Sequence, residues 1–111
     1  MRILICALIA SASLTAASWH ELGKWSGDGT KNTETFATSQ REWRIRWALD
    51  ETGPRTIFDI AVRSAADDSL VSTANGKSSG ETIVRAPVGR YYLRVAGANV
   101  KWTVTAEEQQ P

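Results

Sequence analysis

The side chains that can carry catalysis in this 111-residue chain are few and far apart. A single histidine, His20, is the base that could activate a serine, and a triad needs that base held within hydrogen-bond reach. The single cysteine, Cys6, lies in an apolar run near the N-terminus. Two carboxylate pairs, Asp50-Glu51 and Asp67-Asp68, stand in turn-like segments, where Asp commonly bonds its own backbone. We therefore expect no enzyme activity and no catalytic residue.

Metal ligands are equally sparse. Zinc sites need clustered histidine and cysteine ligands, which the sequence lacks. Calcium takes at least six oxygen ligands. Asp28-Gly29-Thr30 and Asp67-Asp68-Ser69 each offer a few oxygens without the alternating spacing of a dedicated calcium loop. We expect no metal and no cofactor, with calcium at one of these loops as the alternative.

Arginine and tyrosine side chains give the first candidate binding surface. Arg44 and Arg46 alternate with apolar residues in one segment, and Tyr92 and Arg94 do so in a later one. If the two segments are neighbouring strands, these four residues form a basic and aromatic patch facing an anion or a glycan. The alternative is that the arginines form cross-strand ion pairs. Their expected partners are Asp59, Glu42 and Glu34.

Two tryptophans give the second candidate. Trp19 and Trp25 lie outside the clear apolar alternation, so we expect them to be exposed. An exposed indole can stack on a sugar ring or insert at a lipid interface. The alternative is that they close one end of the domain. Trp43 and Trp47, by contrast, share the apolar face of one segment and are expected in the core.

Apolar residues recur at every second position from residue 30 onward, which is typical of half-buried strands. The clearest runs are 42–49, 57–63, 90–95 and 101–106, and weaker ones are 22–25, 33–38, 70–73 and 81–85. Turn-forming Gly, Asn, Asp and Pro fall between them. Seven or eight short strands predict an all-β, antiparallel β-sandwich. Its predicted core is Trp43, Trp47, Phe58, Tyr91, Leu93 and Trp102.

Residues 1–18 have the pattern of a secretory signal peptide. Arg2 precedes an apolar run, and small residues follow it up to Ser18. We expect cleavage after Ala17 or Ser18, with a retained N-terminal helix as the alternative. The mature protein would be a β-sandwich domain, 19–106, with a polar, frayed tail at 107–111. It would contain no cysteine and would be secreted or periplasmic.

Charge excludes one class of partner. The chain has 13 basic and 12 acidic residues and lacks the basic stripe of a nucleic-acid-binding protein. The apolar run is also shorter than the roughly 20 residues of a transmembrane helix. We therefore expect a monomer with an extracytoplasmic ligand or protein partner, no nucleic acid and no transmembrane segment.

The last third of the chain resembles a known family. Residues 86–95, APVGRYYLRV, followed by Trp102-Thr103-Val104, are similar to the ending of bacterial pre-peptidase C-terminal-type domains and related small exported proteins. The Phe36 segment and residues 43–47 and 58–62 fall in the expected order upstream. The resemblance implies a jelly-roll-like sandwich that accompanies extracellular enzymes.

These observations favour a non-enzymatic accessory or binding module that works outside the cytoplasm. Its ligand would be a glycan or another cell-surface component. Two alternatives stay open. One is a structural protein that assembles through its edge strands, and the other is an inhibitor of an extracellular enzyme.

Overall fold

The computed structural model describes residues 18–51, 55–76 and 78–110, and the predicted signal peptide therefore lies almost entirely outside the described residues. Within these ranges the chain is all-β, with nine strands. They are β1 (Trp19–Gly27), β2 (Lys31–Asn32), β3 (Phe36–Ala37), β4 (Glu42–Glu51), β5 (Ile57–Ser64), β6 (Leu70–Asn75), β7 (Gly80–Arg85), β8 (Arg90–Ala98) and β9 (Val100–Gln109).

The strands form two antiparallel sheets packed face to face, as the alternation predicted. The first sheet has the order β1-β9-β4-β7. The second has the order β2-β8-β5-β6, and β3 also pairs with β8. The predicted count of seven or eight strands is wrong because residues 33–38 do not form one strand. The chain pairs with β8 at 31–32 and again at 36–37 instead, and Thr33 and Thr38 are buried just after these two pairings.

The predicted core is confirmed, because all six of its residues are buried. Aromatic rings from the two sheets meet in two groups inside the sandwich. One group contains Trp25, Phe36, Trp43 and Tyr91, with adjacent ring centroids 5.3–5.8 Å apart. The other contains Trp47, Phe58 and Trp102, at 6.1 and 6.5 Å. Such pairs add to the free energy of burial and fix how the sheets pack.

The predicted frayed tail at 107–111 is wrong for residues 107–110, and Pro111 lies outside the described residues. Strand β9 continues to Gln109, and the amide of Gln110 still donates to the Ser18 carbonyl over 2.9 Å. Glu108 occupies an inward position and is 4 % exposed. Its carboxylate accepts hydrogen bonds from the backbone amides of Ser39 and Gln40 and from the Ser39 hydroxyl. A buried charge needs such partners, so this carboxylate anchors the segment before β4.

The described ranges contain no helix that is long and apolar enough to cross a membrane.

Candidate functional site

The four residues of the predicted basic and aromatic patch do not come together. Arg44 and Arg46 lie on β4 in the first sheet, whereas Tyr92 and Arg94 lie on β8 in the second. Their side chains point to solvent from opposite outer faces of the sandwich. The prediction of one patch is wrong because alternation determines which face a residue occupies but not which strands are neighbours.

Trp25 is not an exposed aromatic. It is only 9 % exposed and packs against Phe36 in the core. A β-bulge between Glu21 and Gly23 shifts the alternation of β1 just before it. Gly23 leaves room for the ring, since a Cβ there would lie 2.3 Å from an indole carbon of Trp25. The prediction is wrong because the bulge shifts the alternation of β1, so the sequence pattern does not show that Trp25 faces inward.

Trp19 is partly exposed on the outer face of the first sheet, where its ring covers an ion pair. The guanidinium carbon of Arg44 lies 3.6 Å from the centroid of the indole. Arg44 Nε also donates to the Glu107 carboxylate over 2.8 Å. The Arg44 and Glu107 side chains are only 15 % and 14 % exposed. The indole thus has a cation beneath one of its faces, and this stacking holds it flat against the sheet.

The ion pairs of the first sheet differ from the expected ones. Glu107, directly opposite Arg44 on β9, is its partner, and Arg46 reaches the same carboxylate at 3.5 Å. Glu42 pairs with Arg85 on β7 at 3.0 Å instead. Because Glu107 lies in the predicted tail, the sequence does not indicate it as the partner of Arg44.

Beyond Arg44, the outer face of the first sheet carries two adjoining shallow grooves of about 590 and 490 Å³. Ala48 and Thr103 lie directly opposite each other and line both grooves, which makes them one continuous depression. We call this depression the first-sheet groove. Its floor is low because the central side chains are short. Its polar lining residues are Lys24, Ser26, Asp28, Arg46, Asp50, Ser79, Glu81, Lys101, Thr103 and Thr105.

Opposite charges face each other across the strands of the first-sheet groove. Lys101 is opposite Asp50, and Arg46 is opposite Glu81. Neither pair closes to an ion pair among the described residues. The groove therefore offers hydrogen-bond donors and acceptors side by side, which suits a ligand rich in hydroxyl groups.

The outer face of the second sheet keeps Tyr92 and Arg94 together and adds Arg63, which lies opposite Tyr92 on β5. The Tyr92 hydroxyl donates to the Asp68 carboxylate. This hydrogen bond raises the pKa of Tyr92, because it stabilises the protonated phenol beside a negative charge. Asp68 itself has a positive φ of 62°, an angle that Asp tolerates in tight turns.

One end of the sandwich brings together a serine, a glutamate and the histidine. Ser39, Glu108 and His20 line the same small depression, and His20 is opposite Glu108 in the β1–β9 ladder. However, the Ser39 hydroxyl donates directly to Glu108. A serine nucleophile needs its hydroxyl on the base, with the acid behind that base. Here the Ser39 hydroxyl is bonded to the carboxylate and not to the histidine, so this arrangement does not activate Ser39.

The acidic turn at 67–68 is explained by local hydrogen bonding. Asp67 Oδ1 accepts from both the amide and the hydroxyl of Ser69. These bonds lower the pKa of Asp67, since they favour its charged form. Across the residues that the structure describes, no three His, Cys, Asp or Glu side chains are grouped closely enough to hold a metal ion.

No protein-family model matches the chain, and neither does any curated protein.

Proposed function

We propose that this protein is a non-enzymatic binding module that works outside the cytoplasm and holds a neutral glycan on the outer face of its first sheet. One observation carries the proposal: the shallow, polar first-sheet groove shares its face with the partly exposed, cation-backed indole of Trp19. The groove provides hydrogen bonds, and the indole provides an apolar surface on which a ring can stack.

The charges of the first-sheet groove favour a neutral ligand. Three cations (Lys24, Arg46 and Lys101) and three carboxylates (Asp28, Asp50 and Glu81) line it, so its formal charge is zero. A strongly anionic or cationic ligand would meet as many repulsive as attractive groups. Sugar hydroxyls both donate and accept, and they can use both kinds of side chain.

The proposal includes a signal peptide at residues 1–18 that directs export from the cytoplasm. Strand β1 begins at Trp19, beside the two expected cleavage points. Cleavage there would leave the whole strand, including the Trp19 platform, in the mature protein. N-terminal sequencing of the exported protein should begin at Ser18 or Trp19. An intact Met1 in the folded, exported product would contradict this part of the proposal.

A jelly-roll-like topology and kinship with pre-peptidase C-terminal-type domains are also proposed. Both are supported by the resemblance of residues 86–104, which include β8, the turn before it and the first half of β9, and by the order of the upstream segments. In such a family the module would accompany an extracellular enzyme.

Binding can be tested by titrating the mature protein with neutral oligosaccharides and following the amide NMR signals. Cellohexaose, xylohexaose, maltohexaose and chitohexaose are suitable probes. We expect at least one of them to shift signals of β4 and β9 near Ala48 and Thr103. Trp19→Ala should weaken that binding by about tenfold or more, whereas Trp19→Phe should retain most of it. If none of the four sugars shifts these signals, the proposal is wrong.

A variant that blocks the first-sheet groove distinguishes glycan binding in that groove from general effects of a surface substitution. Ala48 is exposed at the centre of the groove, so Ala48→Gln fills it without entering the core. Ala61→Gln makes the same change on the outer face of the second sheet and is the matched control. We expect only the first variant to lose glycan binding.

A second candidate function, assembly through an edge strand, is favoured by β6. This strand is at the edge of the second sheet, contains no charged residue, and begins with Leu70, which is 56 % exposed. Edge strands normally carry charges that prevent pairing with another chain. Sedimentation over a range of concentrations tests this: a monomer is expected from the glycan proposal, and oligomers lost in Leu70→Lys would favour assembly.

A further inference from the structure

The outer face of the second sheet brings two arginines together over one alanine. Arg94 of β8 lies directly opposite Ala61 of β5, and Arg63 is two residues further along β5 on the same face. Diagonal neighbours in an antiparallel pair are about 7–8 Å apart, which long side chains can span. Both arginines line the space above Ala61.

Among the described residues, neither of these two arginines forms an ion pair with a carboxylate. In the described part of the chain, the ion pairs involve Arg44, Arg46 and Arg85. Arg63 Nη1 donates to the backbone oxygen of Asp68 over 2.9 Å, and Arg94 Nη1 donates to the Asn32 amide oxygen over 3.3 Å. A guanidinium has five N–H donors, so both arginines keep donors for a ligand.

The space between them is a shallow groove of about 440 Å³, which we call the second-sheet groove. Ala61 and Ala96 form a low floor, so a ligand can approach the sheet closely. Beyond the arginines, the groove carries Asp59 and, directly opposite it on β6, Asn75. Thr73 lies opposite Ala61 and adds a hydroxyl. One end of the groove is thus cationic, and the other offers polar hydrogen-bonding groups.

We propose that the second-sheet groove binds a carboxylate-bearing sugar, such as a uronate unit of an acidic polysaccharide. The carboxylate is held by the guanidinium groups of Arg63 and Arg94, which match its planar pair of oxygens. The ring hydroxyls bond to Asp59, Thr73 and Asn75. Asp59 disfavours phosphate, because phosphate carries up to two negative charges and would be repelled more strongly than the single charge of a carboxylate. This site lies on the opposite face from the neutral-glycan groove and does not depend on it.

Variants of equal charge test the proposal. The probe is tri-galacturonate, titrated calorimetrically against the mature protein. We expect Arg63→Gln and Arg94→Gln each to weaken binding by about tenfold or more, as loss of charge-assisted hydrogen bonds does. Arg90→Gln is the control, because Arg90 lies on the same face of β8 but bonds Thr35 outside the groove. It should change binding by less than about twofold. Equal losses of binding in all three variants would show that the ligand is attracted only by net charge, and they would overturn the proposed site.

Matched ligands test the chemistry. The methyl ester of tri-galacturonate keeps the sugar and removes the charge, so it should not bind measurably to the Ala48→Gln variant, in which the neutral-glycan groove is blocked. Inorganic phosphate should compete poorly, and vesicles containing anionic lipid should not retain the protein. Binding of the ester to the Ala48→Gln variant, effective competition by phosphate, or retention on the vesicles would each overturn the assignment. Ala61→Gln should block this site, and Ala48→Gln should leave it intact. A failure of this proposal can therefore be distinguished from a failure of the neutral-glycan proposal.

Discussion

The indole nitrogen of Trp102 donates a hydrogen bond to the backbone oxygen of Gly29, 2.9 Å away. This bond ties the segment after β1 to the beginning of β9 and satisfies the polar atom of a residue that is only 2 % exposed. The same indole lies against Gly27, where a Cβ would be 2.8 Å from a ring carbon. Gly27 is therefore required for space beside the ring.

Gly27→Ala should destabilise the domain by about 1–3 kcal/mol, because the added methyl group overpacks a buried ring. Gly29→Ala is the matched control, since a Cβ at Gly29 has no neighbour within 4 Å and φ is not positive there. It should be neutral or slightly stabilising. Urea denaturation measures both variants, and equal effects would show that Trp102 does not need the space at Gly27.

Sequence alternation predicted which residues are buried, and the reason is general. An inward side chain in a strand must be apolar to enter the core, so the pattern of Trp43, Trp47, Phe58 and Leu93 is visible without a structure. Strand neighbours leave no such pattern. Alternation alone therefore allows Arg44 and Arg94 to meet, although their strands lie in different sheets.

Two other errors have local causes. The sequence predicts a turn at Gly27, yet Gly27 lies within β1 and makes space for the Trp102 indole. It also predicts a tail at Glu108, because the residue is charged. The alternation of β9 continues through it, from Trp102 and Val104 to Ala106. A charged residue at an inward position breaks the apolar pattern although the strand persists.

The buried carboxylate of Glu108 is expected to contribute substantially to stability. Glu108→Gln replaces one acceptor oxygen with an NH₂ group that faces the amide donors of Ser39 and Gln40. We expect a loss of about 1–3 kcal/mol, the range for a buried polar group left unsatisfied. Glu34→Gln makes the same chemical change at an exposed position and should stay within about 0.5 kcal/mol. If the two variants unfold at the same denaturant concentration, Glu108 is not an anchor.

Trp19 and Arg44 should show energetic coupling. The indole shields the Arg44–Glu107 pair, and at partly exposed sites a cation–π contact contributes about 0.5–1 kcal/mol. Trp19→Ala and Arg44→Ala should each reduce the free energy of unfolding, and the double variant should lose less than the sum of the two. Strictly additive losses would show that the stack has no energetic role. Trp19→Phe should preserve part of the coupling.

The last prediction concerns the phenol of Tyr92. Its hydrogen bond to Asp68 favours the protonated form, so its pKa lies above the ordinary value of about 10. The stability from this bond is therefore fully present below about pH 10 and is lost as the pH rises through the folded-state pKa. Asp68→Gly removes the carboxylate and tolerates the positive φ of this turn, so it should lower the pKa of Tyr92 toward its ordinary value. NMR titration of the Tyr92 ring signals measures the change. Asp67→Gly, one residue earlier, removes a carboxylate that does not contact the phenol and should shift the pKa far less. An unchanged Tyr92 titration in Asp68→Gly would show that the two side chains are not bonded in solution.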